Sequence, residues 1–174
     1  LAAVTPGLFG ATSDAGGSDT LRVGIIGCGG RGTGAAINCV QAADGVEILA
    51  MGDLFEDRLE SSFRKLQKKL PADRVKVTRD MMFSGFDAFR SVVQSDVDLV
   101  ILGTPPHFRP EHLRACVEAG KHVFMEKPVA VDPAGVRSVI ESGERASRQG
   151  LAIVAGTQRR HQNHYRAVMQ RLHD

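Results

Sequence analysis

The sequence predicts an α/β chain built on a doubly wound parallel sheet, with helices on both faces. Three observations carry that expectation. Short apolar runs alternate with amphipathic stretches from residue 21 to residue 155, and strict alternation of strand and helix calls for parallel crossovers. The run Leu99-Val100-Ile101-Leu102 is wholly apolar, as suits a strand buried on both faces. The first apolar run, Leu21 to Ile26, opens directly into a glycine cluster.

That cluster organises the rest. Gly27, Gly29 and Gly32 match G-x-G-x-x-G between a strand and a helix, the dinucleotide-binding fingerprint of Rossmann-type sheets. The first glycine lets the chain turn sharply out of the strand. The second lets the backbone approach a pyrophosphate, and the third lets the helix sit close to the strand. The helix N-terminus then presents free N–H groups and a partial positive charge to the phosphates.

Taken in order, Leu21 to Ile26 is the first strand and Thr33 to Ala43 the first helix, with Ile37 and Val40 inward. Val46 to Met51 is the second strand, closed by Gly52-Asp53. A helix from Glu56 carries Phe55, Leu59, Phe63, Leu66 and Leu70 as one apolar stripe until Pro71 stops it. Arg74 to Thr78 reads as the third strand. Phe86, Phe89, Val92 and Val93 mark the next helix, and Asp98 to Leu102 the fourth strand. Pro110 suits a first helical position, Leu113, Cys116 and Val117 face inward, and Gly120 ends that helix. Lys121 to Met125 is the fifth strand. Asp132-Pro133 starts a helix with Val136, Val139 and Ile140 inward. Leu151 to Ala155 is the sixth strand, and a further helix begins near Gln162.

The chain has 174 residues, enough for one domain with its own core. Residues 20–156 form that domain, and residues 157–174 begin a connection to whatever follows. A net charge of +2 and an absence of tryptophan give no argument for nucleic acid as a partner. No stretch approaches the ~20 apolar residues of a membrane span. The 3 cysteines, Cys28, Cys39 and Cys116, are widely spaced, with no C-x-x-C and no zinc-like spacing. Residues 1–19 are small and apolar, then rich in Gly, Ser and Asp. They read as the remnant of an export signal, and hence a periplasmic or exported protein, or as an ordinary tail of a cytoplasmic one.

Ligands of such a sheet lie across the carboxyl ends of its strands. The candidate cofactor residues all follow strand ends: Gly27, Gly29, Gly30, Arg31 and Gly32, then Asp53, then Thr104, Pro105 and His107, then Glu126, and last Gln158. Asp53 is expected to accept hydrogen bonds from an adenosine ribose. A 2′-phosphate there would meet a like charge, so NAD is preferred to NADP. Arg58 would offset that repulsion if it reached the ribose. Arg31 either pairs with the pyrophosphate or stands as an exposed loop arginine. His107 either meets the nicotinamide half or is a polar loop residue. His161 and His164 lack a neighbouring carboxylate or cysteine, so no metal site is expected.

Gly27-Cys28-Gly29-Gly30-Arg31-Gly32, the strand end at Asp53, Gly103-Thr104-Pro105-Pro106-His107, Ala119-Gly120-Lys121-His122-Val123 and above all Glu126-Lys127-Pro128 resemble the glucose–fructose oxidoreductase and inositol dehydrogenase family, Gfo/Idh/MocA. The resemblance runs from residue 21 to residue 174. It implies an NAD-dependent oxidoreductase acting on a sugar or cyclitol hydroxyl, a homo-oligomer when full length. It implies that Lys127 is the catalytic lysine beside the nicotinamide. Glu126 and Pro128 would fix its position, often through a cis Lys-Pro bond. Gly156-Thr157-Gln158-Arg159-Arg160 resembles the passage into the family's second domain, which builds the substrate pocket and is absent from this chain. A hydroxyl gives up hydride only as its proton leaves, and a lysine can take that proton. Two alternatives stand beside this reading: an NAD-dependent glycosidase of the family 109 type, without net redox change, and a non-catalytic dinucleotide-binding module.

Overall fold

The computed structural model describes residues 20–173. The tail at 1–19, with the export reading attached to it, lies outside the described residues. The described chain forms a 6-stranded sheet. Strands β1 (Leu21–Ile26), β2 (Val46–Asp53), β3 (Met82–Ser84), β4 (Leu99–Leu102), β5 (His122–Met125) and β6 (Ile153–Ala155) lie in the order β3-β2-β1-β4-β5-β6. Every pair is parallel. The helices are α1 (Gly30–Ala42), α2 (Glu56–Lys69), α3 (Ala88–Gln94), α4 (Arg109–Glu118), α5 (Pro133–Arg148) and α6 (Asn163–His173).

Period-two alternation divides the core between the two faces of the sheet. Val23, Ile25, Ile48, Met51 and Ile101 pack with Leu59 and Leu66 of α2. Ile26, Ala50, Val100 and Leu102 pack with Phe89 of α3 and Leu113 of α4. Strand order reverses between β1 and β4, so the chain leaves these two neighbours in opposite directions. A crevice opens there at their carboxyl ends.

The third strand is not where the sequence predicts it. Residues 74–78 make only one isolated parallel bridge, Val75 to Ile48, and Lys76 N–H donates to the Ile48 carbonyl at 2.9 Å. A 3₁₀ turn, Arg79–Met81, follows, and pairing resumes at Met82–Ser84 beside Met51–Asp53. Val77 is buried, so the alternation reports burial without a ladder. Helix α1 starts at Gly30 rather than Thr33, because glycine's poor helix propensity hides a first turn that tertiary packing supports. Phe86 lies outside α3 and is 73% exposed.

Helix α5 is turned part-way from its expected setting: Val139 packs against the core as expected. Ser142 and Ala146 are buried, whereas Val136 and Ile140 are exposed. Small residues let α5 approach α4 closely, and that contact outweighs the apolar stripe. Asp132 caps α5 as expected, accepting from Gly135 N–H at 2.6 Å. Val168, Met169 and Leu172 on α6 are exposed. No helix among the described residues is long and apolar enough to cross a membrane.

Candidate functional site

At the β1/β4 crevice lies a cleft of about 500 Å³, lined by the glycine loop and by residues from the ends of β2, β4 and β5. The loop is compact because glycines meet backbone to backbone. Gly27 has φ +92°, and a Cβ there would lie 2.5 Å from Thr104 N. A Cβ on Gly32 would lie 1.9 Å from the Gly27 carbonyl oxygen. Gly29 and Gly30 behave differently. Among the described residues, nothing beyond its own chain neighbours and helix backbone lies within 4 Å of a Cβ at Gly30, and Arg58 Nη1, at 3.5 Å, is what approaches one at Gly29. Protein therefore fills the space beside the first and third motif glycines and leaves it open beside the second, where a pyrophosphate needs access.

The floor beneath the loop is tied to α2. Thr33 Oγ1 donates to the Gly29 carbonyl at 2.8 Å and pairs with Ser62 Oγ at 2.7 Å. Asp53 closes the β2 side. Its carboxylate accepts from Cys28 N–H at 2.6 Å and Phe55 N–H at 3.0 Å, which aims it along the loop. Arg58, over the Phe55 ring at 5.6 Å, lines the same wall. Burial pushes the Cys28 thiol up, with Asp53 adding to the effect, so this cysteine stays protonated.

On the β5 side the extended chain alternates. Glu126 is buried and Lys127 is exposed into the cleft. Glu126 accepts from Arg31 Nη2 at 2.5 Å. A Cβ at Gly156 would crowd that carboxylate at 3.1 Å, so glycine makes its room. Arg31 is thus an ion-pair partner of Glu126, with a side chain 61% exposed. The Lys127-Pro128 peptide bond is cis. Thr104 and Pro105 line the cleft.

Two expected residues stand elsewhere. His107 is exposed and packs edge-on against Phe108 at 5.2 Å. It does not line the cleft, because α4 begins within this turn and directs Phe108, Arg109 and His112 inward instead. Gln158 lines a separate hollow of about 510 Å³ on the α1 side of β4 to β6, which shares Arg31 and Glu126 with the cleft. Gly32 is buried in the loop's packing and is not a wall of the cleft.

The sequence reading missed His112 and Arg109. Their signal was polar residues at 109 and 112 interrupting the buried stripe of Leu113, Cys116 and Val117. His112 stacks on Phe89, with ring centres 4.3 Å apart, and on Phe108 at 5.9 Å. Its Nδ1 meets Thr104 Oγ1 at 3.3 Å. Burial, helped by Arg90, lowers its pKa to about 4. A base whose folded pKa lies below its unfolded value binds its proton preferentially in the unfolded chain. Stability is therefore full above pH ~6.5 and declines as pH falls toward about 4, by ~3 kcal/mol in total. Urea titrations at several pH values check this, and His112→Phe should remove most of the dependence.

A family model described as "Oxidoreductase family, NAD-binding Rossmann fold" matches residues 21–154. The chain belongs to the Gfo/Idh/MocA oxidoreductase family. Its relatives include a glycosyl hydrolase family 109 protein of Streptomyces coelicolor, 33% identical over 76% of this chain and 27% of the relative. They also include an inositol 2-dehydrogenase of Klebsiella pneumoniae, 27% identical over 89% of this chain and 42% of the relative. Among solved structures, scyllo-inositol dehydrogenase from Lactobacillus casei with bound NAD(H) and scyllo-inositol superposes with a TM-score of 0.68. It shares 25% identity, over 87% of this chain and 40% of that one. The chain thus spans well under half the length of these relatives. It is the family's NAD-binding domain, and its open loop and Asp53 carboxylate fit that cofactor.

Proposed function

We propose that this chain is the cofactor-binding part of an NAD-dependent oxidoreductase acting on a sugar or cyclitol hydroxyl, with Lys127 as acid/base. One observation carries the reading. Lys127 and Asp53 line the same cleft from opposite sides of the glycine loop, at the ends of strands three positions apart in the sheet. Three inter-strand spacings are roughly 14 Å, a separation that suits an extended dinucleotide.

When bound, NAD+ supplies the hydride acceptor. The chain supplies the groups on the cofactor side. The first N–H groups of α1, which lack intrahelical partners, face the phosphate position. Asp53 holds the adenosine ribose. Thr104, oriented by His112, and Pro105 border the nicotinamide half. Lys127 Nζ takes the hydroxyl proton of the substrate, and Glu126 stays behind it as an orienting group.

NAD should bind more tightly than NADP, because a 2′-phosphate ~4 Å from the Asp53 carboxylate costs a few kcal/mol at intermediate dielectric. Asp53→Asn keeps an acceptor for Cys28 N–H while removing the charge. Calorimetric titration should show the preference for NAD shrinking in that variant by ~10-fold or more. Tighter NADP binding by the unaltered protein would exclude the ribose role of Asp53.

The Streptomyces coelicolor relative favours a second reading, an NAD-dependent glycosidase. Turnover of the full-length protein separates the two. Steady NADH formation on a cyclitol or free sugar supports the dehydrogenase. Glycoside cleavage at constant NADH supports the glycosidase. Neither activity would leave the dinucleotide-binding module.

A further inference from the structure

Arg109 is a buried charged residue of the cleft that the proposed chemistry does not use. It begins α4 and is only 5% exposed. Its Nη1 donates to the carbonyl oxygen of Pro128. Its Nε is buried and has no hydrogen-bond partner among the described residues. Burial pulls the guanidinium below its ordinary value, and the Glu126 carboxylate opposes that. A buried cation is costly unless its charge is answered. Here the answer comes from Glu126 and Pro128, the two residues that flank Lys127.

Lys127 is exposed, so its aim depends on the turn that carries it. Two arginines from different elements grip that turn. Arg31, in the first turn of α1, pairs with Glu126 from the partly exposed side. Arg109 grips from the interior, where weaker solvent screening strengthens each contact.

We propose that Arg109 is a positioning residue for Lys127: it holds the Glu126-Lys127-Pro128 turn from the interior by its hydrogen bond to the Pro128 carbonyl. This rests on the reading of Lys127 as the acid/base. Arg109 touches neither substrate nor cofactor in this role. Its loss should slow turnover and spare cofactor affinity.

The test uses the full-length protein, with steady-state kinetics on its best substrate and NAD+ affinity by calorimetry. Arg109→Met keeps the packed stem and removes the charge and the donors. Losing a buried charged hydrogen bond corresponds to a fall in kcat of ~10- to 100-fold, with the NAD+ dissociation constant nearly unchanged. Arg109→Lys restores a cation and a single donor, and should recover part of that loss even if Arg109→Met folds poorly. Lys127→Ala is measured beside them. Wild-type kcat in Arg109→Met, with Lys127→Ala inactive, overturns this role alone. An equal fall in kcat and NAD+ affinity also overturns it, since Arg109 would then shape the cofactor site. No recovery in Arg109→Lys counts against it in the same way. Turnover by Lys127→Ala overturns the acid/base reading and this one with it.

Discussion

Lys127→Ala in the full-length protein should lower kcat by ~10²- to 10⁴-fold, the usual contribution of a positioned general acid or base. NAD+ affinity should be nearly unaffected. The separation follows from where the lysine sits. It leaves the end of β5 and is exposed into the cleft. The groups expected to hold the adenosine and the pyrophosphate are Asp53, at the end of β2, and the loop between β1 and α1. Removing an exposed side chain from the far wall leaves the contacts among them intact: Asp53 with Cys28 N–H, and Thr33 with the Gly29 carbonyl. Glu126 does not replace the missing base. It is buried and already paired with Arg31. Kinetics and calorimetry on one preparation check both halves. A variant with wild-type kcat would remove Lys127 from the chemistry.

The elements that define the sheet were legible because their signals are local. A strand buried on both faces is apolar residue by residue, as Val100 to Leu102 are, and the glycine loop carries its geometry in its spacing. The third strand was not legible. Val75 and Val77 alternate like a strand, but beyond the bridge at Val75 the segment does not follow β2, and where a chain leaves its neighbour no local pattern states. The α5 rotation has the same origin: Ser142 and Ala146 are buried by α4, a neighbour distant in sequence. At the site, the loop, Asp53 and Lys127 lie where their motifs put them. His107, adjacent to them in the motif, turns outward. Arg109 and His112 face the cleft only because α4 starts at residue 109.

Gly32→Ala should be the most damaging glycine-to-alanine change among the described glycines. The new Cβ would lie 1.9 Å from the Gly27 carbonyl oxygen and 3.1 Å from its carbon. Both are backbone atoms, so no side chain can swing aside. Gly27 cannot retreat either, since a Cβ drawn on it already overlaps Thr104 N at 2.5 Å. Gly103 completes the lock: its own Cβ would lie 2.7 Å from Gly32 Cα. Relief therefore requires α1 to withdraw from β1 and carry its first N–H groups with it. Overpacking of this kind costs ~1–3 kcal/mol of stability, occasionally more. The larger effect falls on the cofactor. Each charge-assisted hydrogen bond displaced from the pyrophosphate costs ~1.5–3 kcal/mol, so NAD+ affinity should fall by ~100-fold or more. Gly34→Ala, one half-turn further along the same helix, is the control. Among the described residues, nothing beyond its own helix backbone and chain neighbours lies within 4 Å of a Cβ there, and alanine is the better helix former, so that variant should gain ~0.5–1 kcal/mol. Thermal unfolding and NAD+ titration of the two variants should move in opposite directions in stability, with only Gly32→Ala losing affinity. Wild-type NAD+ binding by Gly32→Ala would mean that the cradle does not depend on the close approach of α1 to β1.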